Sequence, residues 1–365
     1  MFFRKPPFGV DISDYSIEII SLEGSVENPK LLAMGRVKLE PGIFENGKIL
    51  AKEDLKKYLR GLIGNPKFGK IRTNKIIFSL PESKGYVLIF DLPEKLSPNK
   101  ILEFVKLKAR ENFPHPLEEI YFDYQISDKE VLLIAAPKKI VEDYLEVFRD
   151  CNLIPLALEI ESLSLARSLI ENEKIPILIA DIGARTTNLS IFDQGKLRLS
   201  FSVPIAGNKF SQVLSEKLNL SKEAVERLKR EIGLDPKFQE GRVFLILQKE
   251  IQGIIEEAKK ILNYFQEKSR LQPASRASEI GKIILAGGSA ALPHLPEYLA
   301  ENLEKEVKIG DPWVKINIDI LKKKEYFREA MEVNPILYST AIGSALRGLS
   351  KNLQTAGINL LKGRK

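Results

Sequence analysis

Two apolar stretches of this chain end the same way, each running into an aspartate and then a turn. The first is Gly9-Val10-Asp11-Ile12-Ser13-Asp14-Tyr15-Ser16. The second is Ile179-Ala180-Asp181-Ile182-Gly183-Ala184-Arg185-Thr186-Thr187-Asn188. Alternating apolar and polar residues on both sides predict a strand, a tight turn and a second strand in each case. Further strand material and then helices follow each copy. Two similar halves facing one another across a cleft is the economical reading of such a rough repeat. The 365 residues agree, because a chain of that length outgrows one ordinary core.

Between the two copies, Lys48 to Ile63 carries apolar residues at helical spacing and predicts an amphipathic helix. Lys75–Leu80 and Tyr86–Phe90 read as a pair of strands closed by Pro81 and Pro93. Ser97 is a good N-cap, Pro98 suits a first helical position, and Phe113-Pro114-His115-Pro116 stops the helix between. Strands at 121–126 and 131–135 and a helix at 138–149 complete what looks like a small α+β insertion over 75–150. Beyond Asp181, strands are expected at 188–192 and 197–203, and helices at 207–217, 221–232 and 246–268. A strand at 283–288 breaks into glycines, and a small-residue helix covers 335–349.

The turn after Asp181 has the chemistry a phosphate chain needs. Gly183 permits unusual backbone angles, while Thr186, Thr187 and Asn188 supply hydroxyl, amide and backbone N–H groups. A carboxylate beside them suits Mg²⁺ held through water. A plain β-hairpin turn is the alternative. The turn after Asp11 is poorer, with Ser13 where a second glycine would help and Asp14 where a phosphate would approach. Gly287, Gly288 and Ser289 follow a strand, and paired glycines there let a ring or ribose come close to the backbone; an ordinary loop would look the same. Glu226 and Lys229 share one helix face and suit either a nucleoside edge or a simple surface contact.

Composition removes several classes. Apolar residues are 44% and charged residues 29%, a globular balance, and no run approaches the roughly 18 apolar residues of a membrane span. Met1 to Pro7 leads into no apolar core of a secretory signal. The single cysteine, Cys151, allows no internal disulfide and no cysteine-based zinc site, in keeping with a reducing compartment or with redox indifference. His115 and His294, the only histidines, argue against a histidine metal site or a Ser-His-Asp triad. The net charge of +7 raises the question of an anionic partner. Lysine and glutamate alternate along most helices, however, so the charge reads as solvated faces and no nucleic-acid partner is expected.

Glu111 to Gln125 and Leu158 to Arg167, together with Ser221 to Gly233 and Pro335 to Gly348, resemble the PilM family of type IV pilus assembly proteins. That family lies in the actin-like ATPase superfamily with MreB and FtsA, and the resemblance runs from about Phe8 to Leu349. It implies an α/β, actin-like (ribonuclease H-like) two-domain ATPase fold with an inserted α+β subdomain. Residues 1–74 would form the first part of subdomain 1A, 75–153 the inserted 1C, and 154–175 the return to 1A. Residues 176–206 would open 2A, 207–280 form 2B, 281–334 complete 2A, 335–350 lay a last helix on 1A, and 351–365 form a flexible tail.

The resemblance further implies ATP and Mg²⁺. Asp11 and Asp181 would flank the metal and phosphates, Ser13, Gly183, Thr186, Thr187 and Asn188 would line the phosphate loops, and Gly207 would sit in the first connecting segment. Glu226 and Lys229 would reach the nucleoside, and Gly287, Gly288 and Ser289 would back the adenosine. Glu161 falls where MreB-like relatives orient the attacking water and is the candidate general base. The family pattern expects glycine at Ser13, small residues at Asp14 and Tyr15, and lysine at Glu18. These departures predict nucleotide binding with weak or absent turnover, at most a weak ATPase.

The implied role is a cytoplasmic scaffold, peripheral to the inner membrane through partners. It would clasp the N-terminal peptide of a PilN-like membrane protein in a groove between 1A and 1C. That peptide carries an Ile-Asn-Leu-Leu core, and this chain has Ile358, Asn359, Leu360 and Leu361 near its end. Docking of this segment in the groove, of the same or a neighbouring molecule, competes with a chance match in a disordered tail and with a short membrane-surface helix; a homo-oligomer is compatible with it. An FtsA-like division protein and a small-molecule kinase of the same superfold are the alternative functions.

Overall fold

A computed structural model describes residues 5–362 apart from 46, 94–95, 128, 272–278, 319–320, 322–326, 328–332 and 354. The chain divides into two compact units, residues 1–168 with 312–365, and residues 169–311.

The first unit opens with β1 (Phe8–Ile12), β2 (Ser16–Gly24) and β3 (Pro29–Lys38), an antiparallel meander set by the predicted tight turn. A two-residue pair, β4 (Phe44–Glu45) with β5 (Lys48–Ile49), delays helix α1 to Lys52–Gly64. The amides of Leu50 and Ala51 bond back to Ile43 O, which holds them out of the helix expected from residue 48. Then come β6 (Phe68–Gly69), β7 (Lys75–Leu80), β8 (Tyr86–Asp91), α2 (Pro98–Asn112), β9 (Ile120–Ser127), β10 (Glu130–Pro137), α3 (Lys138–Asp150), β11 (Ile154–Ile160) and α4 (Glu161–Leu169).

The main sheet has the order β11-β7-β1-β2-β3-β6, and a separate sheet has the order β8-β10-β9. The expected pairing of 75–80 with 86–90 is therefore corrected. β7 runs parallel to β1 and β11 in the main sheet, because its residues Ile76 to Leu80 are buried on both faces. Only β8 to β10 form the small sheet, backed by α2 through Val105 and Ala109. Ser97 precedes α2 with Pro98 at its start, yet its side chain makes no cap hydrogen bond. The family-like stretch Leu158 to Arg167 spans a strand end and a helix. Residues 158–160 are strand, because Glu159 is fully buried between arginines, and the helix begins at Glu161.

The second unit runs β12 (Ile177–Ile182), β13 (Thr187–Asp193), β14 (Lys196–Val203), α5 (Gly207–Leu218), α6 (Lys222–Glu231), α7 (Arg242–Leu271), β15 (Lys282–Ala286), α8 (Leu295–Leu303) and β16 (Glu306–Ile309). Its sheet order is β14-β13-β12-β15-β16. The first two pairings are antiparallel and the last two parallel, as in β3-β2-β1-β7-β11 of the first unit. The rough repeat in the sequence is thus one five-strand topology used twice. Val243, Leu247, Ile251, Ile254, Ile255, Ala258, Ile261 and Phe265 recur at helical spacing and bury α7 in this unit's core.

The chain then returns to the first unit, where α9 (Ser339–Gly348) lies across β1, β2 and β7. Gly9 permits that approach, since a Cβ there would sit 2.0 Å from Ala341 O. Trp313, Ile316, Ile318 and Phe327 join Ile20, Leu22 and Met34 in this core. Residues 312–334 were expected to complete the second half of the fold. Their described residues group with the first unit, because these apolar side chains pack into its core.

Candidate functional site

In the second unit the residues singled out around Asp181 do come together. Asp181 ends β12 and stands opposite Asn188 on one side and Ala286 on the other. The Gly183 amide closes the turn onto Thr186 O at 3.1 Å. Gly183 O then accepts from the Gly207 amide at 3.1 Å and from the Ser289 hydroxyl at 2.9 Å, tying three loops to one atom. Thr187 donates its hydroxyl to Ile205 O at 2.6 Å, and Asn188 Oδ1 accepts from the Ser202 hydroxyl at 2.7 Å.

The glycine that needs a positive φ is Gly287 (φ +81°), not Gly183. A Cβ on Gly287 would fall 2.4 Å from Asp181 Oδ1 and 2.5 Å from Ile182 O, so only glycine lets this backbone lie against the carboxylate. Gly207 is equally tight, with a Cβ position 2.5 Å from Ser289 Oγ. Gly288 and Thr186 flank this cluster in the same loops.

Glu226 and Lys229 are more than a surface pair. Lys229 Nζ donates to Gly207 O at 3.0 Å and to Ser211 Oγ at 2.8 Å, and lies 3.2 Å from Glu226 Oε1; the Ser211 hydroxyl donates to the same carboxylate. Burial pulls the Lys229 ammonium below its ordinary range, and Glu226 opposes that shift. Ser211 and Ser202 were not singled out from the sequence. A lone serine one helical turn past Gly207 carries no signal until the fold sets Lys229 beside it.

The loop after Asp11 is built differently. Ser13 Oγ accepts from the Tyr15 amide at 3.3 Å and the Ser16 amide at 3.1 Å, so the turn's own hydroxyl engages two of its amides. Asp11 lies directly opposite Glu18 on β2, and both are buried. Two acids at one cross-strand position repel. Arg36, opposite Glu18 on β3, offsets this with a 2.6 Å ion pair. Burial nevertheless pushes the Glu18 carboxyl up to about 7, with Arg36 pulling the other way. Glu161 starts α4, where its Oε2 accepts from the Glu82 amide at 3.1 Å, while Glu82 accepts from the Ser162 amide. This reciprocal arrangement resembles a capping box contributed by two segments.

The segment expected to be a flexible tail is seated in the first unit. Ile358, Asn359 and Leu360 are buried against β11. The Leu360 amide donates to Leu158 O at 2.9 Å, the Leu158 amide to Asn359 Oδ1 at 3.0 Å, and Asn359 Nδ2 to Leu156 O at 3.2 Å. On the other side, Asp123 of β9 accepts from the Asn359 amide at 2.7 Å and from Lys362 Nζ at 2.8 Å. Beneath lies a buried ion cluster. Glu159 bonds Arg167 at 2.7 Å and Arg347 at 2.5 Å, and Arg347 also donates to Ile358 O at 2.5 Å. Burial alone would raise the Glu159 carboxyl, yet the two guanidinium groups hold it down to about 2.

One five-strand topology in each of two units, an aspartate at each lead-strand end and a three-loop cluster beside the second define an α/β protein of the actin-like fold. The profile of the type IV pilus assembly protein PilM matches residues 9–349, and the chain belongs to that family. A solved PilM-PilN type IV pilus biogenesis complex matches with a TM-score of 0.79 at 21% identity, covering 94% of this chain and 99% of that one. MreB5 of Spiroplasma citri bound to AMPPNP matches with a TM-score of 0.54 at 13% identity, covering 94% and 96%. The cell division protein FtsA of Bacillus subtilis is 25% identical over 156 residues, 39% of this chain and 35% of its own length. This chain thus spans about a third of the curated relatives it matches. Among the described residues no helix is long and apolar enough to cross a membrane.

Proposed function

We propose that this chain is a nucleotide-binding assembly scaffold of a type IV pilus machine, holding ATP with Mg²⁺ mainly through the loops around Asp181. The observation that carries this reading is Gly183 O, which accepts from Gly207 and Ser289 at once and so fixes three loops as one rigid surface beside a carboxylate. The donor set fits the ligand. The backbone at Gly287 lies against the Asp181 carboxylate as no other residue allows, and Asn188 stands opposite Asp181 on β13. Among the described residues no group of three or more His, Cys, Asp or Glu gathers as a cation cage. A single carboxylate such as Asp181 suits Mg²⁺ held through water and by phosphate oxygens. Bound Mg²⁺ would neutralise phosphate charge. Lys229 sets the position of Gly207 and the start of α5.

Turnover is weak or absent on this reading. Ser13 occupies the first loop's amides with its own hydroxyl, and Glu161 is bonded to the Glu82 amide rather than standing as a general base. The likeness to the solved PilM-PilN complex supports a PilN-like partner; on this reading it is a membrane protein recruited through an N-terminal peptide, with the slot between β9 and β11 as the candidate groove. The location would be cytoplasmic, at the inner membrane through that partner.

Equilibrium titration of the full chain with a fluorescent ATP analogue, with and without Mg²⁺, tests the nucleotide half. Saturable binding competed by ATP, with little phosphate release, supports it, and no binding overturns it. Pull-down by a PilN-type N-terminal peptide tests the partner half.

A further inference from the structure

The segment Ile358–Lys362 has the construction of a bound peptide on a tether. Only Ile358, Asn359 and Leu360 are buried; Lys351, Asn352 and Thr355 before them are exposed. Gly357, at φ +123° with open space around its Cβ position, turns the tether into the slot. Its backbone gives β11 one amide bond, Leu360 N to Leu158 O, where a strand continuing the sheet would give a ladder. The rest of the recognition is specific. Asn359 mimics a strand through its side chain, accepting from the Leu158 amide and donating to Leu156 O. Asp123 accepts the Asn359 amide and the Lys362 ammonium together. Arg347 caps the Ile358 carbonyl while Glu159 neutralises it from below. β11 and β9 are both edge strands of their sheets, and an edge is the natural site for an added peptide.

We infer that Ile358–Lys362 is a displaceable occupant of the slot between β9 and β11, and that a partner peptide of the same chemistry enters by expelling it. That chemistry is an apolar residue, an asparagine, two apolar residues and a following base. The inference rests on the peptide-groove reading above only for who the partner is; occupancy by the chain's own segment and its release stand on the contacts. Tethering gives the segment a high effective concentration, so a free peptide competes at a disadvantage that lasts until the tail is released.

Amide hydrogen exchange on the unaltered full chain is the first test. Leu158 and Leu360 are expected to exchange through local opening, at least tenfold faster than the core amides of β1 and β7. Exchange only at the core rate makes the segment permanent core and overturns the proposal. The second test uses a labelled synthetic peptide spanning Gly357–Lys365. The full-length double variant Ile358→Asp/Leu360→Asp should bind it at least tenfold more tightly than the unaltered chain, and an Asn359→Ala peptide should lose that gain. Equal binding by both proteins, when circular dichroism shows both folded, overturns the proposal. If the variant does not fold, the exchange result decides alone. A PilN-type peptide that fails where the chain's own peptide binds defeats the partner identity and leaves the displaceable segment standing.

Discussion

Glu18 offers a quantitative test of the first loop. Its carboxyl is 2% exposed, opposite Asp11, and burial raises it from its ordinary 4.5 to about 7 despite Arg36. A shift of that size corresponds to about 3 kcal/mol between protonation states. The group's folded-state affinity for a proton exceeds that of the unfolded chain. Its stabilising contribution is therefore complete below pH 4.5 and is lost as pH rises through 7. Within that window one proton contributes a slope of about −1.4 kcal/mol per pH unit. Glu18→Gln keeps the shape and removes the titration. Urea unfolding of both proteins, from about pH 3 to about pH 8.5, should give a difference in stability that changes by about 3 kcal/mol across the range and flattens towards either end. A difference independent of pH would show that Arg36 fully compensates for burial, and the argument from desolvation would fail.

Three further outcomes follow from contacts. Gly343→Ala places a Cβ 1.9 Å from Ser164 O, a backbone atom, and should lower stability by about 2–3 kcal/mol in a thermal melt. Arg347→Met leaves the fully buried Glu159 with Arg167 as its remaining charge partner and should cost about 3–5 kcal/mol by urea unfolding. Ser13→Gly releases the Tyr15 and Ser16 amides and should raise affinity for an ATP analogue with fold retained; unchanged affinity would mean that these amides face no phosphate.

Much of the fold was legible because hydrophobic period follows burial. The β1–β2 and β12–β13 hairpins, α7 and the small-sheet strands all announce themselves in alternation or helical spacing. The partner of β7 did not, since a strand buried on both faces carries no sign of which sheet it joins. Trp313, Ile316, Ile318 and Phe327 join the first unit's core by packing that no sequence period announces. The site divides the same way. Asp181, Gly183 and Ser289 were visible as turn chemistry and Gly207 only through the family resemblance, while Ser211 beside Lys229 and Arg36 beside Glu18 needed the register. The tail motif was visible as a motif, but its seat depends on Asp123, Leu158 and Arg347, which lie far apart in sequence.

On the proposed function, the second unit's loops dominate nucleotide binding. Mg²⁺·ATP affinity measured in parallel on the full-length Asp181→Asn and Asp11→Asn variants tests it most directly. The account predicts a loss of about tenfold or more, roughly 1.4 kcal/mol, for Asp181→Asn and less than about threefold for Asp11→Asn. Equal losses, or a larger loss at Asp11, would contradict it.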